Sequence, residues 1–534
     1  MQRILPPSSI STFPQSLPLF STASTRRLEQ TLAAALPPHT LMQRAGEAVA
    51  RLAMALAPHA QTIWIACGPG NNGGDGYEAA ACLRHKLPHV RILISDVRAR
   101  EALPADARAS WDKARQAGAI WVDAQPDELT AQDLCIDALL GIGLKADSSH
   151  QSDERLRQLL TQVQHSPCTL LCVDIASGLD AQTGQYVPGL APGFGPERAP
   201  APAPQALTRE RHTRALLTLQ PGLFTGAGRD ACGQIWWDEL GADISAHQHT
   251  DQPPLALLGA TQASPARQHA SHKGVFGDVA ILGGEGLAER GLSMVGAAWL
   301  AALAAMHGGA GRVMLALLDA EQHADQASSA WPEIMLRKPS AQDWSSATVV
   351  CGCGGGLAIA PWLPTLLAQT PRLVLDADAL NTVAASTDLM QQLTARAARG
   401  QATVLTPHPL EAARLLQTDT ARIQADRLQA ASELAQKFAC TVVLKGSGSV
   451  IACNALDSKQ RTPSLWINPT GNALLATGGT GDVLAGLIAS LWAQGLSAQQ
   501  AATQGAYRHG RVADQWPAER PFSASALAQH LRTR

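Results

Sequence analysis

The sequence predicts an α/β protein made of two three-layer αβα domains. Short apolar runs of strand length alternate with stretches of helical spacing along most of the 534 residues, and such alternation is typical of a mostly parallel sheet with helices on both faces. The length is natural for two domains, each large enough to bury its own core. A polar, histidine-containing stretch at about 243–254 interrupts the pattern, and we place the domain boundary there.

Two segments are expected to lie outside the regular elements. Prolines at positions 6, 7, 14 and 18 break any amphipathic helix near the start of the chain, so residues 1–20 are predicted to form a disordered tail. Residues 188–205 are rich in proline and glycine, which predicts a flexible surface insertion. No apolar run in the sequence approaches the length of a membrane span, and we expect no membrane partner.

The N-terminal half begins with two predicted helices and continues with strands. Ser21 or Thr22 is a candidate N-cap for the first helix, and a second helix is expected over 41–57. Apolar runs typical of buried strands then cover 62–66, 91–95, 119–122, 134–138, 169–175, 215–219 and 234–237. Helical segments between several of these runs complete the alternation.

The C-terminal half repeats the alternation. A helix is expected over 291–307, and strands are expected over 278–282, 312–317, 348–351, 372–375, 402–405 and 441–444. These strands tend to end at glycine, aspartate, histidine or lysine. Because open α/β sheets bind ligands at the carboxyl ends of their strands, we expect the site of this half at that edge of the sheet.

Composition indicates small-molecule partners. Charged residues make up 16% of the chain and the formal net charge is −2, so no basic surface argues for nucleic acid or an anionic membrane. The 10 cysteines form no CxxC pair and no disulfide-like pattern, which favours a reducing, cytoplasmic environment. Cys351 and Cys353 lack the further histidines or cysteines of a metal site, and we interpret them as small buried apolar side chains.

The glycine-rich run at 471–482 is the strongest chemical signal. Its sequence, GNALLATGGTGD, leads directly into an apolar, helix-like stretch, which places bare backbone N–H groups at a helix N-terminus, where the macrodipole attracts phosphate. A tight turn before a core helix would need only one or two glycines, and Asp482 alone would serve as an N-cap. The interleaved glycines and threonines instead predict close approach of a ligand. We therefore expect an anion hole with Asp482 as the base beside it.

The N-terminal half has a second glycine-rich loop between a strand and a helix. Its sequence, NNGGDG at 71–76, would let backbone amides hold a phosphate-bearing ligand, whereas a simple Asn-Gly turn needs only two of these residues. Two further strand ends carry oxygen donors. Asp137 precedes the segment ALLGIGL, and Asp174 precedes IASGLD. A lone aspartate at a strand end also serves as a loop cap, and that alternative remains open for Asp174.

These three segments resemble the NAD(P)H-hydrate epimerase family. The resemblance implies a Rossmann-like epimerase domain over 21–245, with Asp174 as the catalytic, proton-handling residue. It implies a potassium ion held by oxygens of Asn72, Asp137 and Ser177. Besides Asp174, it assigns the hydrated nicotinamide nucleotide to Asn71, Asn72, Gly73, Gly74, Asp75, Gly141, Ile142, Gly143, Leu144, Lys145, Ala146 and Asp147. The chain departs from the family at Ile142, where threonine is usual, and at Ala176, where proline is usual.

Segments of the C-terminal half resemble the ADP-dependent NAD(P)H-hydrate dehydratase branch of the ribokinase-like kinases. They are HKGVFG at 272–277, GCGGG at 352–356, DADALN at 376–381, TPHPLE at 406–411 and the anion-hole run. Cys353 stands where the family has proline. The resemblance implies a ribokinase-like dehydratase domain over 246–534.

The same resemblance assigns roles to individual residues of this half. It places the hydrate against Ala297, Gly354, Gly356, His408 and Asp482, and it makes Asp482 the general base. It assigns ADP, and the AMP formed from it, to Lys445, Gly446, Ser447, Gly448, Ser449 and Gly481, with a magnesium ion accompanying the nucleotide. A lone histidine after a strand is more often a satisfied surface or core residue, and this alternative remains open for His408.

Together the resemblances imply repair of hydrated NADH and NADPH, called NADHX and NADPHX. The N-terminal domain would interconvert the R and S hydrates, and the C-terminal domain would use ADP to phosphorylate the S hydrate and then eliminate phosphate. We expect a homo-oligomer with no nucleic-acid partner. Two alternatives remain open: a small-molecule kinase, because the anion hole is shared across the superfamily, and an N-terminal half that binds nucleotide without catalysis.

Overall fold

The structure is a computed structural model that describes residues 2–4, 16–144, 153–192, 209–242, 254–261, 269–318, 331–454 and 463–531. The chain divides into two compact units. The N-terminal unit consists mainly of Pro18–Leu255, and the C-terminal unit consists mainly of Ala256–Arg534. Residues 193–205 of the expected proline-rich insertion lie outside the described ranges.

The N-terminal unit is an eight-stranded sheet with helices packed against it. In the part of the chain that the structure describes, the first nine strands are β1 (Gln2–Ile4), β2 (Leu17–Leu19), β3 (Thr62–Cys67), β4 (Arg91–Asp96), β5 (Ile120–Trp121), β6 (Leu134–Ala138), β7 (Thr169–Val173), β8 (Arg211–Leu216) and β9 (Gln234–Asp238). The helices are α1 (Thr22–Ala35), α2 (Thr40–Leu56), α3 (Asn71–Lys86), α4 (Ala105–Gln116), α5 (Glu154–His165) and α6 (Gly228–Cys232).

The strand order of this sheet places its ligand edge. The order is β1-β9-β8-β7-β6-β3-β4-β5; β1 pairs antiparallel with β9 and the other pairs run parallel. From β3 the chain adds β4 and β5 on one side and then β6 on the other. The switch point therefore lies between the carboxyl ends of β3 and β6, where open α/β sheets bind ligands.

The C-terminal unit has a second, mostly parallel sheet. Its strands are β10 (Ala256–Leu258), β11 (Asp278–Gly283), β12 (Arg312–Leu317), β13 (Ile334–Arg337), β14 (Thr348–Cys351), β15 (Arg372–Leu375), β16 (Ala402–Leu405), β17 (Thr441–Leu444), β18 (Val450–Cys453) and β19 (Ser464–Ile467). They lie in the order β13-β12-β11-β14-β15-β16-β17-β18-β19-β10, and among these described strands β18 runs antiparallel to both of its neighbours. The switch point lies between β11 and β14.

Helices surround this second sheet. They are α7 (Leu287–Arg290), α8 (Val295–His307), α9 (Leu363–Gln369), α10 (Ala377–Ala384), α11 (Thr387–Ala398), α12 (Pro409–Leu416), α13 (Thr420–Ala425), α14 (Arg427–Lys437), α15 (Thr480–Ala493), α16 (Ala498–Asp514) and α17 (Ala524–Gln529). The predicted α/β class, with two mostly parallel sheets, is confirmed. Within the described ranges, no helix is both long enough and apolar enough to cross a membrane.

The structure differs from the sequence expectations at several elements. Within residues 1–20, β1 pairs with β9 and β2 is also extended, whereas residues 5–15 lie outside the described ranges. The strand expected over 215–219 is instead Arg211–Leu216. Its polar residues escaped the apolar pattern because they are buried in ladder pairs with β7, and Arg214 forms an ion pair with Asp238. The helix expected over 291–307 begins four residues later, at Val295.

Helices α8 and α15 pack closely through small residues. A Cβ added at Gly486 would lie 2.0 Å from the carbonyl oxygen of Ala301, a backbone atom that cannot turn away. At Gly296, in the first turn of α8, an added Cβ would meet nothing within 4 Å. The space around the two helical glycines therefore differs sharply.

We predict opposite effects of alanine at these two positions. Gly486→Ala should destabilise the protein by about 1–3 kcal/mol, because overpacking outweighs the helix propensity of alanine. Gly296→Ala should be neutral or stabilise by up to about 1 kcal/mol. Urea unfolding followed by tryptophan fluorescence, to which Trp299 and Trp492 of these helices contribute, measures both. Equal midpoints for the two variants would contradict the packing argument.

Candidate active sites

A cleft of about 770 Å³ lies at the carboxyl edge of the N-terminal sheet. Its lining includes Asn71, Asn72 and Asp75 from the first turns of α3, the loop 141–144, and Asp174 after β7. These are residues that the sequence assigned to the hydrated nucleotide, and the structure brings them together. The predicted contacts Lys145, Ala146 and Asp147 lie outside the described residues.

Gly73 and Gly74 have a different position from the one expected. The cleft lining does not include them, and both are buried. A Cβ at Gly73 would lie 2.1 Å from the carbonyl oxygen of Gly68, and a Cβ at Gly74 would lie 2.6 Å from the Cε atom of Met42. The structure therefore explains these two glycines by the close packing of α3 behind the cleft.

Asp137 and Ser177 form a buried polar pair beside the cleft. The Ser177 hydroxyl donates to Oδ1 of Asp137 over 2.6 Å, and the Ser177 amide donates to Oδ2 over 2.9 Å. Burial raises the pKa of Asp137, while the hydrogen bonds from Ser177 lower it. The Oδ1 atom of Asn72 lies 3.1 Å from the Cβ position of Gly141, and the neighbouring amide of Leu140 donates to the Ser177 hydroxyl. Of the three predicted cation ligands, Asp137 and Ser177 are therefore bonded to each other, and Asn72 lies near Gly141 in the loop that follows Asp137.

Asp174 is held in an unusual backbone conformation at the end of β7. Its φ angle is 68°, a left-handed value that is uncommon for a residue with a side chain and is often found at functional sites. Burial raises its pKa to about 7, against weak hydrogen bonds from the amides of Ile142 and Leu216. The pKa of Asp75 is raised well above its ordinary value by burial and by the charge of Asp174. Asp174 can therefore exchange a proton near neutral pH.

One wall of this cleft was not predicted from the sequence. Thr25, Arg26 and Glu29 of α1 and His39 before α2 also line it. A hydrogen bond of 2.7 Å between the hydroxyls of Thr25 and Thr218 fixes α1 against the loop after β8. No local signal in the sequence marks these residues, because they contact the cleft only through tertiary packing.

The C-terminal site is assembled from the carboxyl ends of four adjacent parallel strands. β14 leads to Cys353, β15 to Asp376, β16 to His408 and β17 to Lys445. Asp482, in the first turn of α15, completes the group. One ligand atom each from Cys353, Asp376 and Asp482 lies within 4.8 Å of the others.

Lys445 is the positive centre of this group. Its Nζ atom lies 2.7 Å from Oδ1 of Asp376 and 3.9 Å from Oε2 of Glu411. Burial lowers the pKa of Lys445, but the charges of Asp376 and Glu411 outweigh burial and raise it. A Cβ at Gly481 would lie 3.4 Å from Nζ, so the predicted nucleotide residues Lys445 and Gly481 are neighbours.

Asp482 is a partly exposed carboxylate beside the anion-hole glycines. Burial and the nearby charge of Asp376 raise its pKa to about 7, against the lowering effects of Cys353 and Lys445. Gly479, with a φ of 91°, precedes α15 as its N-cap. The residue predicted as the base therefore lies in the first turn of α15 with a pKa raised toward neutral pH.

His408 has a structural partner. Its Nδ1 atom accepts hydrogen bonds from the amides of Leu410 and Glu411 at the start of α12, while the Glu411 side chain accepts from the His408 amide. This capping box satisfies the histidine, yet its side chain remains 46% exposed. Its contact with the hydrate stays a prediction.

The remaining predicted residues adjoin this group. A Cβ at Gly354 would lie 3.0 Å from the Cβ of Ala297, and the amide of Gly356 donates to Asp378 over 2.8 Å. The expected nucleotide loop, 445–449, follows β17. The buried Arg427 supports it from below, because its Nη2 atom donates to the carbonyls of Leu444 and Lys445.

Comparisons with known proteins match both halves of the chain. Residues 281–533 match the family described as NAD(P)H-hydrate dehydratase, and residues 38–194 match the family described as YjeF-related protein N-terminus. The bifunctional NAD(P)H-hydrate repair enzyme Nnr of Escherichia coli (strain K12) is 33% identical over 494 residues, covering 89% of this chain and 85% of the relative. The ADP-dependent (S)-NAD(P)H-hydrate dehydratase of Neisseria meningitidis serogroup B is 40% identical over 272 residues, covering 50% and 86%.

A solved structure is also similar to the C-terminal half. It is the ADP/ATP-dependent NAD(P)H-hydrate dehydratase of Bacillus subtilis co-crystallised with ATP and Mg²⁺, with a TM-score of 0.40, 27% identity, and coverage of 50% of this chain and 92% of that one.

The fold and the full-length relatives define a two-domain enzyme with one activity in each half. The chain belongs to the family of bifunctional NAD(P)H-hydrate repair enzymes. It repairs hydrated NADH and NADPH through an epimerase and a dehydratase activity, and the family predicted from the sequence is confirmed.

The raised pKa of Asp482 predicts a gain in stability on its neutralisation. The folded-state pKa of about 7 lies above the ordinary value of 3.8, so the folded chain binds this proton more tightly and loses stability as pH rises from about 4 to about 7. Asp482→Asn removes that loss. The variant should therefore be more stable than the wild type above pH 7, by a few kcal/mol at most, since one pKa unit corresponds to about 1.36 kcal/mol.

Thermal unfolding midpoints from pH 4 to pH 8 test this expectation. The difference in unfolding midpoint between Asp482→Asn and the wild type should grow across this range. Asp388→Asn, at an exposed position, should differ from the wild type by the same amount at every pH. A difference for Asp482→Asn that is constant with pH would show that the carboxylate is not destabilised by its surroundings.

Proposed function

We propose that the C-terminal unit dehydrates the S hydrate in two steps. Asp482 takes the proton of the substrate hydroxyl while the hydroxyl oxygen attacks the β-phosphorus of ADP. The bond between this phosphorus and the oxygen that bridges the two phosphates breaks, and AMP is released. The C–O bond to phosphate then breaks while the adjacent carbon loses a proton to solvent, and this elimination restores the double bond of the dihydronicotinamide. Phosphorylation converts hydroxide, a poor leaving group, into phosphate, and one ADP yields one AMP and one phosphate.

The position of Asp482 is the observation that carries this proposal. It has a pKa of about 7, so at neutral pH a large fraction is ionised and able to accept a proton. The N-terminus of α15 and the ammonium of Lys445 lie beside it, where negative charge would develop on the transferred phosphoryl group. The relative from Neisseria meningitidis, whose name records dependence on ADP, supports the choice of phosphoryl donor.

We propose that the N-terminal unit interconverts the R and S hydrates with Asp174 as its proton-handling residue. Support comes from its place in the 770 Å³ cleft, its left-handed backbone and its pKa of about 7. Asn71, Asn72, Asp75 and the loop 141–144 would hold the nucleotide.

Two ions accompany these proposals. Asn72, Asp137 and Ser177 fit a potassium ion, because they offer amide, carboxylate and hydroxyl oxygens, which hard cations prefer. Bound there, the ion would supply a positive charge next to the substrate cleft. Magnesium would accompany the phosphates of ADP and take much of its coordination from them, since Asp376 is already paired with Lys445. We further propose a cytoplasmic homo-oligomer, and the ten cysteines, all free thiols, agree with a reducing compartment.

Incubation of mixed R and S NADPHX with ADP tests the two activities together. The wild type should recover all of the NADPH, measured by absorbance, with one AMP and one phosphate per turnover. Asp482→Asn should lower recovery at least about 100-fold, because the base is lost, but should still equilibrate R and S hydrates on a chromatogram.

Asp174→Asn is the matched control in the other unit. It should recover only the S portion, because epimerisation has stopped while dehydration continues. Full recovery by Asp482→Asn would exclude Asp482 as the base, and accumulation of a phosphorylated product without free phosphate would identify a kinase.

The cation site predicts a requirement for potassium in the N-terminal unit alone. R and S exchange by the wild type should slow in potassium-free buffer, and Asp137→Asn should be equally slow with potassium present, because the anionic ligand has been removed. Dehydration of purified S hydrate by the same variant should be unchanged. Rapid exchange under both conditions would remove the cation from the mechanism.

A further inference from the structure

Cys353 lies at the centre of the C-terminal site. Its side chain is fully buried in the turn after β14. Its backbone carbonyl accepts a hydrogen bond of 3.0 Å from the amide of Gly284, which ties the turn to the end of β11. Its Sγ atom and carboxylate oxygens of Asp376 and Asp482 lie within 4.8 Å of one another.

Within this cluster the thiol is the group that can donate a proton toward the Asp482 carboxylate. Its presence lowers the pKa of Asp482 against the effect of burial, which favours the ionised form. Burial and the charges of Asp482 and Asp376 raise the pKa of the thiol well above its ordinary value. The thiol therefore remains protonated and acts as a donor, not as a nucleophile or a thiolate metal ligand.

We propose that Cys353 is a positioning residue for the base Asp482: its buried thiol donates to the carboxylate and directs the free carboxylate oxygen toward the substrate hydroxyl. The inference rests on the proposed role of Asp482 in dehydration. It adds a residue that the sequence alone suggested to be an inert, buried apolar side chain.

Other charged groups around Asp482 set the background for this effect. Asp376 and Lys445 act on it directly. Glu411 and His408 interact with Lys445 and Asp376 from the start of α12, and Asp378 of α10 acts on Glu411. His509 of α16 bonds to the carbonyl of Thr480. Burial lowers the pKa of His509 to about 4, so it does not titrate near neutral pH. Burial raises the pKa of Glu411 to about 7, so the titration of Glu411 must be separated from that of Asp482 in any pH profile.

The pH dependence of ADP-driven dehydration of purified S hydrate tests the proposal. In Cys353→Ala the acid limb of the kcat profile should move to higher pH by about 0.5–1 unit, because a weak donor that favours the ionised carboxylate is lost. Cys353→Ser should return the limb toward its wild-type position, since the hydroxyl also donates. If Cys353→Ala gives the same shift when Glu411→Gln is also present, the shift belongs to Asp482 and not to Glu411.

Cys351 supplies a matched control. It is equally buried, two residues earlier in β14, and burial alone raises its pKa. Cys351→Ala should leave the acid limb in place. An unshifted limb in Cys353→Ala, no restoration by serine, or an equal shift in Cys351→Ala would overturn the inference. Full activity of Asp482→Asn would instead overturn the role of the base itself, so the two failures are distinguishable.

Discussion

The ion pair between Lys445 and Asp376 determines the charge of the C-terminal site. Asp376 is almost fully buried, and a carboxylate in that position would be costly without a partner. Lys445 provides that partner from the end of β17, and the hydroxyl of Thr406, after the intervening β16, donates to the same oxygen. Together with Thr406, the ion pair therefore connects the ends of β15, β16 and β17 and fixes the positions of the groups beside which we propose that phosphate binds.

The same pair explains why Asp482 behaves differently from Asp376. Lys445 is paired with Asp376, so the negative charge of Asp376 raises the pKa of Asp482 more than Lys445 lowers it. In the N-terminal unit, Asp137 accepts hydrogen bonds from the hydroxyl and amide of Ser177, whereas Asp174 has only weak amide contacts. In both units the well-bonded carboxylate is suited to hold charge, and the poorly bonded one is suited to carry a proton.

Sequence patterns predicted the fold and much of each site because both depend on local signals. Apolar runs marked the buried parallel strands, and the glycine-rich segments after them marked the loops that the sheet gathers at one edge. Asp137, Asp174, Lys445 and Asp482 could be found in this way. The sequence did not reveal that Lys445 would pair with Asp376, because they are 69 residues apart and meet only through the order of the strands.

Other features were hidden for equally physical reasons. Arg211–Leu216 forms a strand despite its polar residues, since Asp238 compensates the buried Arg214. The α1 wall of the N-terminal cleft depends on tertiary contacts such as that between Thr25 and Thr218. Cys353 looked like a core residue because its contact with Asp482 joins distant segments. Burial was correctly expected for this cysteine, and only the neighbour was unknown.

Asp482 lies in the first turn of a helix, and this position affects how the carboxylate would respond to further negative charge during the proposed reaction. The macrodipole there favours an anion by up to about 2 kcal/mol, yet burial and Asp376 hold the pKa near 7, so the desolvation effect is the larger. In the proposed reaction an incoming phosphate would add negative charge, and without screening this charge would raise the pKa of Asp482 and favour its protonation. We therefore expect the Lys445 ammonium and the N-terminus of α15 to neutralise part of the phosphate charge. We infer that the anion hole keeps the base ionised as well as stabilising the transferred phosphoryl group.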